Sequence, residues 1–151
     1  MSDLRELYQE VILDHSKNPR YKFALAQANR DAEGYNPLCG DEVEIQLQVE
    51  EGRIVDVSFQ GTGCAISTAS ADLMAEEVKG KTIGEVQAMY ERYHTMLTGD
   101  PSVREEVAEE MGKLAVMSGV REFPVRVKCA TLAWHTLLAA LEDQDEPVST
   151  E

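Results

Sequence analysis

Residues 41–62 read DEVEIQLQVEEGRIVDVSFQGT, a pattern that predicts an antiparallel β-hairpin. In the first half, apolar residues alternate with polar ones, which places every apolar side chain on one face of a strand. The Glu-Gly pair at 51–52 supplies a turn, and the second strand is expected to point Val55, Val57 and Phe59 inward. The apolar face of this hairpin must be covered by other elements.

Helices are predicted on both sides of the hairpin. The first is indicated by an apolar stripe with helical spacing, and the pair Asn18-Pro19 ends it. Two later helices begin with Thr82 and Ser102, each followed by Glu three residues later, as in a capping box. The expected helices span about 3–17, 64–78, 82–97, 102–118 and 129–142.

The remaining segments are expected to be extended or irregular. Residues 20–38 are predicted as a loop that carries a short strand near 23–29, and residues 123–128 as an extended lead into the last helix. The predicted fold class is α+β: a small antiparallel sheet, the hairpin plus a third strand, is covered on one face by about five helices. We expect a single domain over residues 1–151, with a polar, disordered tail at 143–151.

The charge balance argues against several classes of partner. Lys plus Arg number 14 against 28 Asp plus Glu, so the net charge is −14. Such an acidic surface repels phosphate backbones and anionic lipids, so we expect neither nucleic acid nor membrane as a partner, but a protein with a basic surface. No apolar run approaches the about 20 residues that span a bilayer. The charged N-terminus lacks the apolar region of a signal peptide, which makes a cytoplasmic location the expectation.

The three cysteines are the first candidates for chemistry. Cys39, Cys64 and Cys129 are odd in number, and a reducing cytosol disfavours disulfides. Cys64 and Cys129 are predicted at the N-termini of helices, where main-chain N–H groups and the helix dipole stabilise a thiolate. Spacing alone leaves two interpretations open: buried core side chains, or parts of one site.

Asp41 is the fourth candidate. Cys39 and Asp41 are two residues apart, so in an extended chain both side chains point to the inward side that Val43 also occupies. Three thiolates and a carboxylate at the margin of the core would require a neutralising cation. Zinc fits, because it takes four ligands and accepts both Cys sulfur and Asp oxygen. The alternative is that Asp41 is an ordinary turn residue.

The histidines are not expected to bind metal. His15 lies near the end of the first helix, where a cation is favourable without any function. His94 and His135 lie within helices, where a solvated or core-packed ring is the simpler interpretation.

Several motifs together resemble the U-type iron–sulfur cluster assembly proteins. The motifs are Leu7-Tyr8 through Leu13-Asp14-His15, Asn18-Pro19-Arg20, Asn36-Pro37-Leu38-Cys39-Gly40-Asp41, Gly61-Thr62-Gly63-Cys64-Ala65-Ile66-Ser67 and Lys128-Cys129-Ala130. The likeness covers about residues 3–142, and the three cysteine motifs occur in the family's order.

Three departures from the IscU-like scaffold branch match the SufU branch of this family. Lys128 stands where the scaffold branch has a His before its third cysteine, and residues 123–127 replace its chaperone-binding motif. An extra segment at about 98–120 separates the second and third cysteines.

The resemblance implies a zinc-dependent sulfurtransferase. The zinc ligands would be Cys39, Asp41, Cys64 and Cys129. Cys39 would accept persulfide sulfur from a SufS-type cysteine desulfurase and relay it for iron–sulfur cluster assembly, with other assembly proteins as further partners. Two alternatives remain: a scaffold that builds a [2Fe–2S] cluster on the same four residues, and a non-catalytic, zinc-stabilised binding module.

Arg126 is a further candidate. In the predicted extended segment it shares strand parity with Lys128, next to Cys129. We expect Arg126 to stabilise the Cys39 thiolate or to neutralise the site, and the alternative is an ordinary solvated arginine.

Overall fold

The structure is a computed structural model that describes residues 2–142 and 148–149. Helix α1 (Ser2–Lys17) is followed by strands β1 (Arg30–Asn36), β2 (Asp41–Glu50) and β3 (Arg53–Thr62). Then come helices α2 (Ala65–Val78), α3 (Ile83–Thr98) and α4 (Pro101–Glu110), a 3₁₀ segment (Gly112–Glu122), helix α5 (Pro124–Leu141) and the short strand β4 (Val148–Ser149). The predicted α+β fold class is confirmed.

The sheet is built around the predicted hairpin. Its described strands lie in the order β3-β2-β1-β4, with β1, β2 and β3 antiparallel and β4 parallel to β1. The third strand is β1, so the prediction of a strand near 23–29 is wrong in position. The inward residues of β1 are Ala32, Gly34 and Asn36, which carry little apolar signal. Gly34 is required by packing, because a Cβ there would collide with Oγ1 of Thr136 on α5.

A β-bulge changes the inward face of β3. Gln48 pairs with Asp56 but the next residue, Val49, pairs with Ile54, so β3 has one extra residue. Val55 is that residue and is 40% exposed, whereas Ile54 is fully buried. The prediction that Val55 faces the core is therefore wrong.

The core lies between the inner face of the sheet and the helices. Helices α2 and α5 are the most buried and pack against each other, and α5 also packs on β1 and β2. The ring of Trp134 on α5 stacks on that of Tyr93 on α3, with 4.9 Å between the ring centroids. Complete burial of such large side chains stabilises the fold by about 1.5–3 kcal/mol each.

Helix α5 begins earlier than predicted. Pro124 is its first residue, and Phe123 is an extended N-cap. The prediction of an extended segment at 123–128 is wrong because proline, with its fixed φ and missing N–H, is favoured in the first turn of a helix. Cys129 consequently lies in the second turn of α5 and not at its N-terminus.

The extra segment at 98–120 forms two elements, where a single helix at 102–118 is predicted. Helix α4 is capped by Asp100 and not by Ser102, and it ends at Glu110. The N–H of Met111 then bonds to the carbonyl of Ala108, three residues back, which begins the tighter 3₁₀ segment. Buried side chains of this segment, such as Leu114 and Met117, pack among α1, α3 and α5.

Most of the predicted tail lies outside the described residues. Of residues 143–151, only Val148 and Ser149 are described, and they pair with β1, where a disordered tail is predicted. Among the described helices, none has the length and apolar character needed to cross a membrane.

Candidate metal centre

Four chain segments meet at one end of the sheet and carry the candidate ligands. Cys39 lies in the turn from β1 to β2, and Asp41 is the first residue of β2. Cys64 is the N-cap of α2, and Cys129 lies within α5. Ligand atoms of Cys39, Asp41 and Cys129 lie within 4.8 Å of one another, and this is the group in the described part of the chain that could hold a metal ion. The four residues Cys39, Asp41, Cys64 and Cys129 are together called the candidate metal centre below.

The position of Cys39 depends on a tight turn. The main-chain N–H groups of Cys39 and Gly40 both donate to the carbonyl oxygen of Asn36, at 3.2 and 2.8 Å. Gly40 has a φ of +72°, which a residue with a side chain rarely adopts. Cys39 is therefore not part of a regular strand, contrary to the parity argument, and the turn brings it close to Asp41.

Asp41 places an unpaired carboxylate oxygen inside the protein. Its side chain is fully buried, as its inward parity with Val43 predicts. Oδ1 accepts a hydrogen bond from the main-chain N–H of Cys64 at 2.9 Å. Oδ2 has no hydrogen-bond partner among the described residues. An unsatisfied buried acceptor costs about 1–3 kcal/mol, and more when it is charged, so Oδ2 is suited to a positive charge.

Cys64 is held by the N-terminus of α2, as predicted. Its Sγ accepts a hydrogen bond from the main-chain N–H of Ser67 at 3.4 Å. Cys64 is not a member of the group within 4.8 Å, but Cys129 is the side chain that most affects the pKa of its thiol.

Cys129 is the buried one of the three cysteines. It is completely inaccessible, and its Sγ lies 3.5 Å from Sγ of Cys39. Since Cys129 lies in the second turn of α5, the prediction that a helix N-terminus stabilises its thiolate is wrong.

The thiols of Cys64 and Cys129 have opposite acidities. The hydrogen bond from Cys129 lowers the pKa of Cys64 to about 6, against the effect of burial, and the Ser67 N–H adds to the lowering. The pKa of Cys129 is raised, first by this hydrogen bond to Cys64 and then by burial. Without a metal ion, the proton of the pair therefore stays on Cys129 and Cys64 is the thiolate.

Arg126 lies beside the cluster for a different reason than predicted. It occupies the first turn of α5, three residues before Cys129, and residues at this spacing share a helix face. The pKa of Arg126 is raised mainly by its hydrogen bond with Cys129, and then by the charges of Cys64 and Cys129. Arg126 is exposed to solvent. The neighbouring Lys128 is half-buried.

Asn36 is a site residue that the sequence interpretation did not single out. It is fully buried, and its Nδ2 donates to Sγ of Cys129 at 3.8 Å. Its Oδ1 accepts from the main-chain N–H of Leu38 at 3.2 Å. An Asn at the start of a turn often accepts a bond from the residue two positions later, so the contact with Leu38 was predictable. The contact with Cys129 was not, because α5 supplies it from far along the chain.

The histidines lie outside the group that could hold a metal. His15 is buried, against the expectation of an ordinary helix-end cation, and its Nδ1 lies 2.5 Å from Oδ2 of Asp72. Asp72 Oδ1 also accepts the main-chain N–H groups of Arg20 and Tyr21, so this pair ties α1 and the following loop to α2. His94 and His135 lie on either side of the Tyr90 ring. 

Comparison with known proteins identifies the family. Residues 7–130 match the family described as NifU-like N terminal domain. The chain belongs to this family. The predicted resemblance to the U-type iron–sulfur cluster assembly proteins is thereby confirmed.

Individual NifU-like relatives resemble this chain over most of their length. The iron–sulfur cluster assembly scaffold protein IscU of Thermotoga maritima is 38% identical, covering 93% of this chain and 96% of the relative. The zinc-dependent sulfurtransferase SufU of Bacillus subtilis is 37% identical, covering 90% of each. The crystal structure of a candidate scaffold protein for the SUF system from Fervidobacterium islandicum superimposes with a TM-score of 0.78 at 37% identity, covering 91% of this chain and 98% of that one.

Proposed function

We propose that this NifU-like chain is a zinc-dependent sulfurtransferase that accepts sulfur on Cys39 and relays it for iron–sulfur cluster assembly. Its donor would be a cysteine desulfurase of the SufS type, which carries the sulfur as a persulfide. The net charge of −14 suits docking on a basic surface of such a partner. The SufU of Bacillus subtilis, at 37% identity, is named a zinc-dependent sulfurtransferase.

The observation that carries the proposal is the difference in solvent accessibility between Cys39 and its neighbours. Cys39 is a partly accessible thiol on a turn, while its neighbours Asp41 and Cys129 are fully buried. A thiol that must meet a partner's persulfide has to be reachable, whereas groups that hold a metal can be enclosed. Cys39 alone of the three cysteines lies outside helices and their caps.

The donor set fits zinc. Cys39, Asp41, Cys64 and Cys129 offer sulfur and carboxylate ligands, and Asp41 Oδ2 is buried without a partner. The Cys64 sulfur would bind zinc while it also accepts the Ser67 N–H at the N-terminus of α2, which stabilises negative charge. Bound zinc would supply the positive charge that keeps these thiols deprotonated.

The transfer step requires one nucleophile from this chain. The Cys39 thiolate attacks the terminal sulfur of the donor persulfide, a new S–S bond forms on Cys39, and the donor cysteine leaves as a thiolate. We assign Arg126 the role of stabilising negative charge on Cys39, because the pKa of its guanidinium group is raised by Cys129, by Cys64 and also by Cys39. The main-chain carbonyl oxygen of Asn36 stabilises the turn that carries Cys39, because it accepts the N–H groups of Cys39 and Gly40.

The test is a metal and sulfur analysis of protein purified without oxygen. Zinc bound in a near one-to-one ratio, without acid-labile sulfide, is the expected result. In addition, sulfur from a desulfurase should label wild-type protein at Cys39 and should not label Cys39→Ser. Labelling of Cys39→Ser at the wild-type rate would contradict the assignment of Cys39 as acceptor.

The scaffold function is the second candidate, and it is favoured by the name of the relative from Thermotoga maritima. A scaffold predicts iron and acid-labile sulfide in equal amounts and no zinc. A non-catalytic zinc module instead predicts that Cys39→Ser weakens folding without changing desulfurase turnover.

A further inference from the structure

The sulfur atoms of Cys39 and Cys129 are neighbours, although only Cys39 is accessible. The two Sγ atoms lie 3.5 Å apart, and Cys129 has no accessible surface. We propose that Cys129 is a resolving thiol, so that the metal-free protein converts a persulfide on Cys39 into hydrogen sulfide and a Cys39–Cys129 disulfide. This activity rests on the proposed function, since Cys39 must first accept the sulfur.

The reaction balances without an outside oxidant. As the Cys129 thiol gives up its proton, its sulfur attacks the Sγ atom of the Cys39 persulfide and forms the disulfide bond, while the bond from Cys39 to the terminal sulfur breaks. The terminal sulfur leaves with the bonding electron pair and takes up the proton of Cys129, so it departs as hydrogen sulfide. The terminal sulfur is thereby reduced to sulfide and the Cys129 sulfur is oxidised from thiol to disulfide, while the Cys39 sulfur keeps the oxidation state that it has in the persulfide.

Asn36 forms hydrogen bonds with both cysteines and thereby fixes their relative positions for this step. Its side chain is fully buried and donates to the Cys129 sulfur at 3.8 Å, while its carbonyl oxygen accepts the N–H of Cys39 at 3.2 Å. The turn of Cys39 and helix α5 are thus tied to the same residue. Groups held in contact react as if their concentration were very high, which favours this reaction over attack by a thiol from solution.

Cys129 is the better candidate than Cys64 for the resolving thiol. The Cys64 sulfur caps α2 through the Ser67 N–H at 3.4 Å and lies outside the group within 4.8 Å. Cys129, in contrast, is in contact with the Cys39 sulfur and is shielded from competing reagents. A metal ion bound by Cys129 would block this attack. The candidate metal centre would therefore keep sulfur as a persulfide on Cys39 when a metal is bound, and would release it as sulfide when no metal is bound.

The experiment uses the full-length chain after removal of bound metal by a chelator under argon. Glutathione persulfide is added in slight excess, and intact mass and released sulfide are measured over time. Wild-type protein should lose two hydrogen atoms in mass and release sulfide in an amount equal to the disulfide. Thr131→Ser, on the same helix as Cys129 and with its hydroxyl bonded to the main-chain carbonyl of Val127, is the control and should behave like wild type.

The decisive variant is Cys129→Ser, with Cys129→Ala as a second form in case the serine disturbs the buried site. Either one should retain one extra sulfur atom on Cys39, and circular dichroism should show that it remains folded. A stable persulfide on wild-type Cys39, or a disulfide that forms equally in a folded Cys129 variant, would overturn the proposal. Release of sulfide by Cys39→Ser at the wild-type rate would instead contradict the assignment of Cys39 as the sulfur acceptor, and with it the sulfurtransferase function itself.

Discussion

Oδ1 of Asp41 accepts the main-chain N–H of Cys64 at 2.9 Å, which joins the first residue of β2 to the N-cap of α2. Asp41 therefore has two separable roles. One oxygen locks two chain segments together, and the other, without a partner among the described residues, is available to a metal ion. A carboxylate in this position favours the metal-bound state at the expense of the metal-free one.

Asp41→Asn is expected to separate these roles. The amide oxygen can still accept the N–H of Cys64, but the buried charge is gone, so the metal-free protein should become more stable by about 1 kcal/mol. Zinc affinity should fall by about tenfold or more, because an anionic ligand is lost. Urea unfolding and competition with a chromogenic chelator measure the two effects. Glu42→Gln, on the exposed face of β2, is the control and should change neither.

The acidity of Cys64 predicts a pH profile for alkylation. Thiolates react much faster than thiols with an alkylating agent, so in metal-free protein the rate at which iodoacetamide carbamidomethylates Cys64 should rise with a midpoint near pH 6. Because the hydrogen bond from Cys129 is the main cause of the low pKa, Cys129→Ala should move the midpoint to higher pH. Peptide mass spectrometry after brief iodoacetamide pulses gives the rates. An unchanged midpoint in Cys129→Ala would contradict the assigned cause.

Asn36→Asp is expected to weaken the link between the Cys39 turn and Cys129. The new carboxylate still accepts the N–H of Leu38, but it loses the donor to the Cys129 sulfur and places like charge beside it. We expect a loss of about 1–3 kcal/mol in unfolding free energy, together with a shifted sulfur-to-metal charge-transfer band in cobalt-substituted protein. Asn29→Asp is the matched control, since Asn29 makes a similar pair of bonds to Val49 at the other end of the sheet. That control should leave the cobalt spectrum unchanged.

Arg126→Gln is expected to slow sulfur transfer to Cys39 by about tenfold, because a positive charge beside the thiolates is lost. Single-turnover transfer from a desulfurase, followed by intact mass, gives the rate. Lys128→Gln removes the same charge two residues along α5. If it slows transfer less than Arg126→Gln does, the position of Arg126 matters and not only its positive charge. Equal effects of the two substitutions would argue for simple electrostatic attraction of the partner.

Gly34→Ala is expected to destabilise the packing of α5 on β1 by about 1–3 kcal/mol, because the added methyl group meets the Thr136 side chain. Thermal or urea unfolding measures the loss. The double variant Gly34→Ala/Thr136→Ala should recover much of it, since the colliding Oγ1 atom is removed. Lack of recovery would contradict the collision with Oγ1 as the main cause and would point to Leu132 Cδ1, which lies 3.1 Å from the position of the added methyl group.

Local patterns in the sequence were sufficient for the elements that have a strong periodicity or cap. The hairpin at 41–62 followed from alternation, and α3 from the Thr82–Glu85 capping box, which the structure contains in full. The same local reasoning misplaced β1, whose inward positions are small because α5 lies close against them. It also predicts an extended segment at 123–128, whereas α5 begins at Pro124.

The sequence by itself determined the α+β fold class, the positions of the hairpin and of α2 and α3, and the four residues that are candidates for a metal centre. These features depend on side-chain periodicity and on motifs that are contiguous in the chain. The tertiary structure alone decided that the sulfurs of Cys39 and Cys129, 90 residues apart, are in contact, and that one oxygen of Asp41 is left without a partner. Such relationships arise because the packing of α5 on the sheet, and not local chain geometry, sets the distances between remote residues.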